Sequence, residues 1–126
     1  MARWVLARNA SRGNVVLVRA RWCSNFGAKL RGLSFRRRLE PGTGVVLVED
    51  HPSRLSTAIH MAFVFIPLGV AWLDADGRVV DSRLARPWRV YVPRFSAKFV
   101  LEGPPGMLEC LGPGELITFD ESALDA

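Results

Sequence analysis

The chain has 126 residues, 49% of them hydrophobic and 23% charged, with a formal net charge of +5. That balance excludes a disordered chain and suits one domain, 1–126, around one buried core. The charge is uneven: residues 1–38 hold ten basic side chains and no acid, whereas residues 39–126 hold seven basic and twelve acidic ones.

The first elements read as a hairpin, "RWVLARN" and "NVVLVRARW" flanking the turn-rich "ASRG". In the second strand the alternation puts Leu17, Arg19 and Arg21 on one face and Val16, Val18, Ala20 and Trp22 on the other, with Trp22 inward. The period then changes. In "SNFGAKLRGLSFRRRL", Phe26, Leu30 and Leu33 recur at helical spacing, Ser24 or Asn25 can cap the start, and Gly32 can end the helix after two turns. "EPG" is a turn, "VVLVED" a short strand, and "DHPS" a turn or loop after it.

From Thr57 to Leu73 the chain carries no formal charge over seventeen residues. A spanning helix needs roughly 20 apolar residues, and Pro67 and Gly69 interrupt this run, so no membrane is expected as a partner. Pro67 cannot donate to a sheet ladder, which divides the run into strands near 57–65 and 68–73. Uninterrupted apolar residues imply that both faces of these adjacent strands are covered. "DADG" at 74–77 is a hairpin turn, followed by strands in "RVVDSRL", "WRVYV", "KFVLE" and "LITF". "GPPGMLECLGPGE" holds a short helical turn between Pro and Gly. The expected fold is mainly β (α+β): a compact, barrel-like or sandwich-like, mostly antiparallel sheet of about nine short strands, with one two-turn helix and a helical turn at its edge.

Candidate chemistry is sparse. His60 is the only polar side chain between Ala58 and Leu73, and it is read either as a pocket donor or base, or as a hydrogen-bonded core residue. No ligand pair at metal spacing is present, and "DADG" lacks the later acids of a calcium loop, so no metal or cofactor is expected. Cys23 precedes the helix start, where a thiol pKa can fall, and with His60 it would make a nucleophilic dyad. Cys23 and Cys110 show no redox or zinc spacing, and no export signal is seen, so reduced thiols and a cytoplasmic location are expected. Lys29, Arg31 and Arg36 make an anion pocket if they converge and a solvated face if they splay.

At "KLRGLSFR" and "AIHMAFVFIPLGVAWLDADGRVV" the chain resembles the domain of unknown function 192 family, with similarity from the first hairpin through "VLEGPPGMLECLGPGELITF". The resemblance implies a compact β-rich domain without an established activity. Lys29, Arg31, Gly32, Leu33 and Arg36 match the family's helix motif, with Lys29 where Arg is usual. His60 matches one branch, and Pro67, Asp74, Gly77, Glu102, Gly106 and Gly114 also align. Where that branch carries a basic residue before the Pro and an Asp after it, this chain has Phe65 and Gly69. Loss of both charges together fits removal of a semi-buried ion pair. The leading expectation is a non-catalytic binding module for a small anionic ligand or acidic partner, using Lys29, Arg31, Arg36, His60 and Glu102. The alternatives are an enzyme using His60 or Cys23, and weak nucleic-acid binding by the basic N-terminal third.

Overall fold

A computed structural model describes residues 3–24, 39–61 (His60 by its backbone only) and 65–121. Strands β1 (Arg3–Asn9) and β2 (Asn14–Cys23) form the expected hairpin. Its turn is held by Asn9, whose Oδ1 accepts hydrogen bonds from the backbone N–H groups of Ser11 (3.0 Å) and Arg12 (3.1 Å). Simple alternation fails within β2. Val5 pairs with Ala20, but Ala7 pairs with Leu17 and Arg8 with Val15, so β2 carries extra residues opposite β1. These bulges put Val16, Leu17 and Ala20 in one core cluster and leave Val18 exposed, which a strict period of two forbids.

The remaining strands are β3 (Thr43–Ser53), β4 (Ile59–His60), β5 (Leu68–Leu73), β6 (Val79–Ala85), β7 (Val90–Tyr91), β8 (Ala97–Gly103) and β9 (Ile117–Glu121). A 3-10 helix spans Pro105–Cys110, where "PGMLEC" was expected to turn. Seven strands form one sheet in the order β6-β5-β8-β3-β2-β1-β9, and β4 and β7 make a separate two-stranded ribbon. The protein is therefore mainly β, and all its named pairings are antiparallel except β2 with β3. A parallel neighbour requires a crossover connection. Of the residues between β2 and β3, 25–38, on which the expected two-turn helix falls, lie outside the described residues.

The expected barrel-like closure is absent. β6 and β9 are the two edges of an open sheet, and an isolated bridge, Arg78 with Leu116, joins the segments that precede them. Three ion pairs tie the basic N-terminal hairpin to the acidic C-terminal region: Arg3–Glu121 (3.3 Å), Arg8–Asp120 (3.9 Å) and Arg12–Glu115 (2.8 Å). Part of the charge asymmetry is thus met inside the fold.

The two faces of the sheet carry separate cores. One holds Val5, Leu17, Ala20, Val46, Ala71, Leu101, Met107 and Ile117, with Met107 supplied by the 3-10 helix. At its rim Trp22, half-buried, meets Phe119 edge-on at 5.4 Å and Phe99 at 6.1 Å. The other holds Cys23, Val45, Ile59, Met61, Leu68, Val70, Trp72 and Val100. These faces answer the question posed by the neutral run. All six residues of β5 are buried, because it lies between β6 and β8 with cores on both sides. The run does not form two neighbouring strands, however. Its earlier part leaves the sheet, pairs with β7, and packs Ile59 and Met61 across the face of β5's core. Trp72 locks the layers together by donating its indole N–H to the Thr57 carbonyl at 2.7 Å. One further correction is local, and one local expectation holds. "DHPS" continues β3 through Ser53, across a register shift after Val48 that bends the strand and takes up Pro52 without a ladder bond. Asp74 turns the "DADG" hairpin by accepting backbone N–H groups of Asp76 and Arg78 at 2.9 Å each.

Candidate functional site

β8 is an interior strand of the sheet, paired on one side with β3 and on the other with β5. Its penultimate residue, Glu102, has Val45 and Val70 as register partners and is 7% exposed. The sequence "KFVLEG" places a carboxylate where a central strand would ordinarily bury an apolar side chain. Burial penalises the charged form and pushes the Glu102 carboxyl up to about 7. Among the described residues no hydrogen bond or ion pair reaches it. Arg21, the partner of Val45, and Arg83, the partner of Val70, continue the same cross-sheet row on either side. Each lies two strands from Glu102, about 10 Å at the usual strand spacing.

Cys23 shares this face. Its thiol is buried, its Sγ donates weakly to the Arg21 carbonyl at 3.7 Å, and burial pushes its pKa up; Arg21 opposes that shift and Glu102 adds to it. A raised pKa is the reverse of what a nucleophilic thiol requires. Cys110 lies against the other core, so the two free cysteines occupy opposite faces of the sheet. Among the described residues no group of His, Cys, Asp and Glu converges as a metal site would.

The other sequence candidates scatter. Lys29, Arg31, Gly32 and Arg36 fall outside the described residues. His60 pairs through its backbone with Val90 in the ribbon. Its neighbours Ile59 and Met61 belong to the core cluster that holds Val45 and Val70, the flanks of Glu102. Pro67 precedes β5 and is exposed, and Asp74, Gly106 and Gly114 sit in turns or the 3-10 helix. Gly77 has φ +92° and passes so close to the Ile117 carbonyl that a Cβ would lie 2.6 Å from it, which accounts for glycine there.

The two positions that depart from the family pattern do not face each other. Phe65 packs edge-on against Trp88 at 6.1 Å, on the ribbon side. A Cβ on Gly69 would point the other way, 2.8 Å from the Pro104 carbonyl and 3.2 Å from Leu108 of the 3-10 helix. An ion pair between these positions does not follow from this geometry. Arg21, on the same face as Glu102, escaped notice as a site residue, and Cys23 was singled out only as a possible nucleophile. Alternation along β2 puts them on one face, but their closeness to a residue of β8 depends on strand order.

Comparison with known proteins agrees with this architecture. The domain of unknown function 192 (DUF192; "Uncharacterized ACR, COG1430") matches residues 7–119. The chain belongs to this family. A UPF0127 protein of Thermococcus gammatolerans is 35% identical over 114 residues, covering 89% of this chain and 73% of that protein. A UPF0127 protein of Pyrococcus furiosus is 32% identical over 103 residues, covering 82% and 86%. Among solved structures, a Sinorhizobium meliloti protein provisionally described as a transcription regulator superposes with a TM-score of 0.79 at 20% identity, over 94% of each chain. A protein of unknown function from Novosphingobium aromaticivorans gives 0.74 at 21% identity, over 93% of this chain and 84% of that one. At these identities the structural matches establish the shared fold of the DUF192 chain alone.

Proposed function

We propose that this DUF192 protein is a non-catalytic binding module for a small anionic ligand, with Glu102 at the floor of the site. His60, Lys29, Arg31 and Arg36 would complete it. The observation that carries the reading is Glu102 itself, a carboxyl buried between Val45 and Val70 whose pKa is raised to about 7. A carboxylic acid kept protonated by an apolar site can donate a hydrogen bond to an anion, whereas an ionised one would repel it. Basic residues suit the remaining oxygens of a carboxylate or phosphate. Membership of Ile59 and Met61 in the same core cluster as the valines that flank Glu102 supports a common site for Glu102 and the His60 segment.

Two features weigh against the alternatives. The raised Cys23 pKa disfavours an activated thiol. Arg3, Arg8 and Arg12 are engaged with acids of the same chain, which weakens nucleic-acid binding through the N-terminal hairpin.

The test is a melting-temperature screen with small carboxylates and inorganic phosphate at pH 6 and pH 8. A ligand-induced rise is expected at pH 6 and a smaller one at pH 8. Glu102→Gln should erase that pH dependence and His60→Ala should abolish the rise. A rise indifferent to both substitutions would refute the assignment, as would turnover in a hydrolase screen that disappears with His60→Ala.

A further inference from the structure

The β4–β7 ribbon and its flanking loops present a second surface, independent of Glu102. In β7, Tyr91 packs inward on the core. Val90 beside it, Val92 just past the strand and Trp88 in the preceding turn are 68%, 39% and 59% exposed, so the apolar side chains of this segment reach solvent. Trp88 is the one non-glycine residue at positive φ (66°) among the described residues, and its ring meets Phe65. At the other end Arg54 Nε donates to the Pro93 carbonyl at 3.0 Å. That bond ties the loop bearing Leu55, 81% exposed, to the loop bearing Phe95, 60% exposed.

The two segments that form this surface carry charge of one sign. Residues 54–67 and 86–96 contain Arg54, Arg86, Arg89 and Arg94, all exposed, and no Asp or Glu. A neighbouring acid, Asp81, is turned onto the Arg94 backbone N–H at 2.9 Å. Single exposed apolar residues are ordinary; several gathered around one short ribbon mark an interaction surface.

The chemistry narrows the occupant. A second copy of the same surface would oppose four arginines to four arginines. Single-stranded nucleic acid needs open aromatic faces. Here the two most exposed apolar residues, Leu55 and Val90, are aliphatic, and Trp88 is engaged edge-on with Phe65, which leaves Phe95 as a single platform rather than a stacking series. These side chains project rather than line a recess, so the partner must be the receptive phase: apolar within, negative at its surface. We propose that the ribbon is a peripheral docking surface for an anionic lipid bilayer. Leu55, Trp88 and Val90 enter the boundary between headgroups and acyl chains, and the arginines meet lipid phosphates. The sequence argument against a membrane concerned crossing one, and no described helix is long and apolar enough to do so. Lying on the surface is a different requirement.

The experiment is co-sedimentation of the full chain with vesicles of phosphatidylcholine alone and of phosphatidylcholine with an equal part of phosphatidylglycerol. Partition onto the anionic vesicles is expected, and little onto the neutral ones. Arg86→Ala and Arg89→Ala should each weaken it about five-fold. Leu55→Ser with Val90→Ser should weaken it about ten-fold or more, with an unchanged melting temperature because both side chains are exposed. Arg8→Ala, on the far hairpin, should leave partition unchanged. Equal partition onto both vesicle types, partition onto neither, or a loss with Arg8→Ala as large as with Arg89→Ala would overturn the proposal. Binding to oligo-dT that Val90→Ser removes would assign the surface to nucleic acid instead.

Discussion

Asn9 and Glu102 are both buried polar residues in strands of one sheet, on opposite faces, and they are treated differently. Asn9, fully buried, places its Oδ1 on the N–H groups of Ser11 and Arg12 and its amide on the Cys110 carbonyl (3.1 Å) and Glu115 Oε1 (3.4 Å). Its side chain joins the hairpin turn to the exit of the 3-10 helix, and it is consumed by the fold. Glu102 meets apolar neighbours and holds a raised pKa instead. The ribbon side holds an acid that the described fold leaves unmet, and above it exposed apolar side chains. The contrast belongs to these two residues rather than to whole faces: on the 3-10 side Asn14 Oδ1 is buried without a partner, and on the ribbon side buried Thr57 donates to the Ser53 carbonyl.

Substitutions can break or sharpen this contrast. Trp72→Ala has the largest expected effect, since Trp72 is fully buried in the ribbon-side core and bonds Thr57. A loss of about 3–5 kcal/mol in urea unfolding is expected. A loss below about 1 kcal/mol would mean that the ribbon layer adds little to the core.

Gly69→Asp should cost about 3 kcal/mol or more, because its Cβ collides with the Pro104 carbonyl and its carboxylate would be buried. Unchanged stability would show that the 3-10 helix is loosely seated.

The pH dependence separates the two residues most directly. The Glu102 carboxyl has a folded pKa near 7, above its ordinary 4.5, so the folded state binds the extra proton. Stability is therefore highest below about pH 4.5, with respect to this group, and falls as pH rises through 7. The decline is on the order of 3 kcal/mol, and Glu102→Gln should flatten it in urea midpoints taken at pH 5 and pH 8. A wild-type curve rising over that interval would mean that a basic partner meets the carboxylate.

Asn9→Ala should cost about 1–3 kcal/mol by stranding its backbone partners, without changing the pH profile. At the low end, Arg8→Ala breaks a long, exposed pair and should shift stability by about 0.5 kcal/mol or less.

Much of the fold was legible before any coordinates. β1 and its hairpin, the "DADG" turn and the 3-10 turn follow from local chemistry: alternation, an Asp that turns onto its own backbone, and Pro with Gly at fixed places. β5 was recognisable as a doubly covered strand because its apolar run has no polar alternation. The site was less legible. Glu102 could be named as a candidate residue, yet nothing local to it reveals that Arg21 and Cys23, some eighty positions earlier, share its face.

The sequence by itself determined which segments extend, which turn, and that the last part of the neutral run, β5, is a strand covered on both faces, because these depend on interactions a few residues long. Tertiary structure alone decided three things: that this run divides between sheet and ribbon, that the sheet stays open, and that apolar side chains beside arginines reach solvent. Strand order and register set those outcomes, and they arise from contacts between residues far apart in the chain, where no short-range pattern reaches.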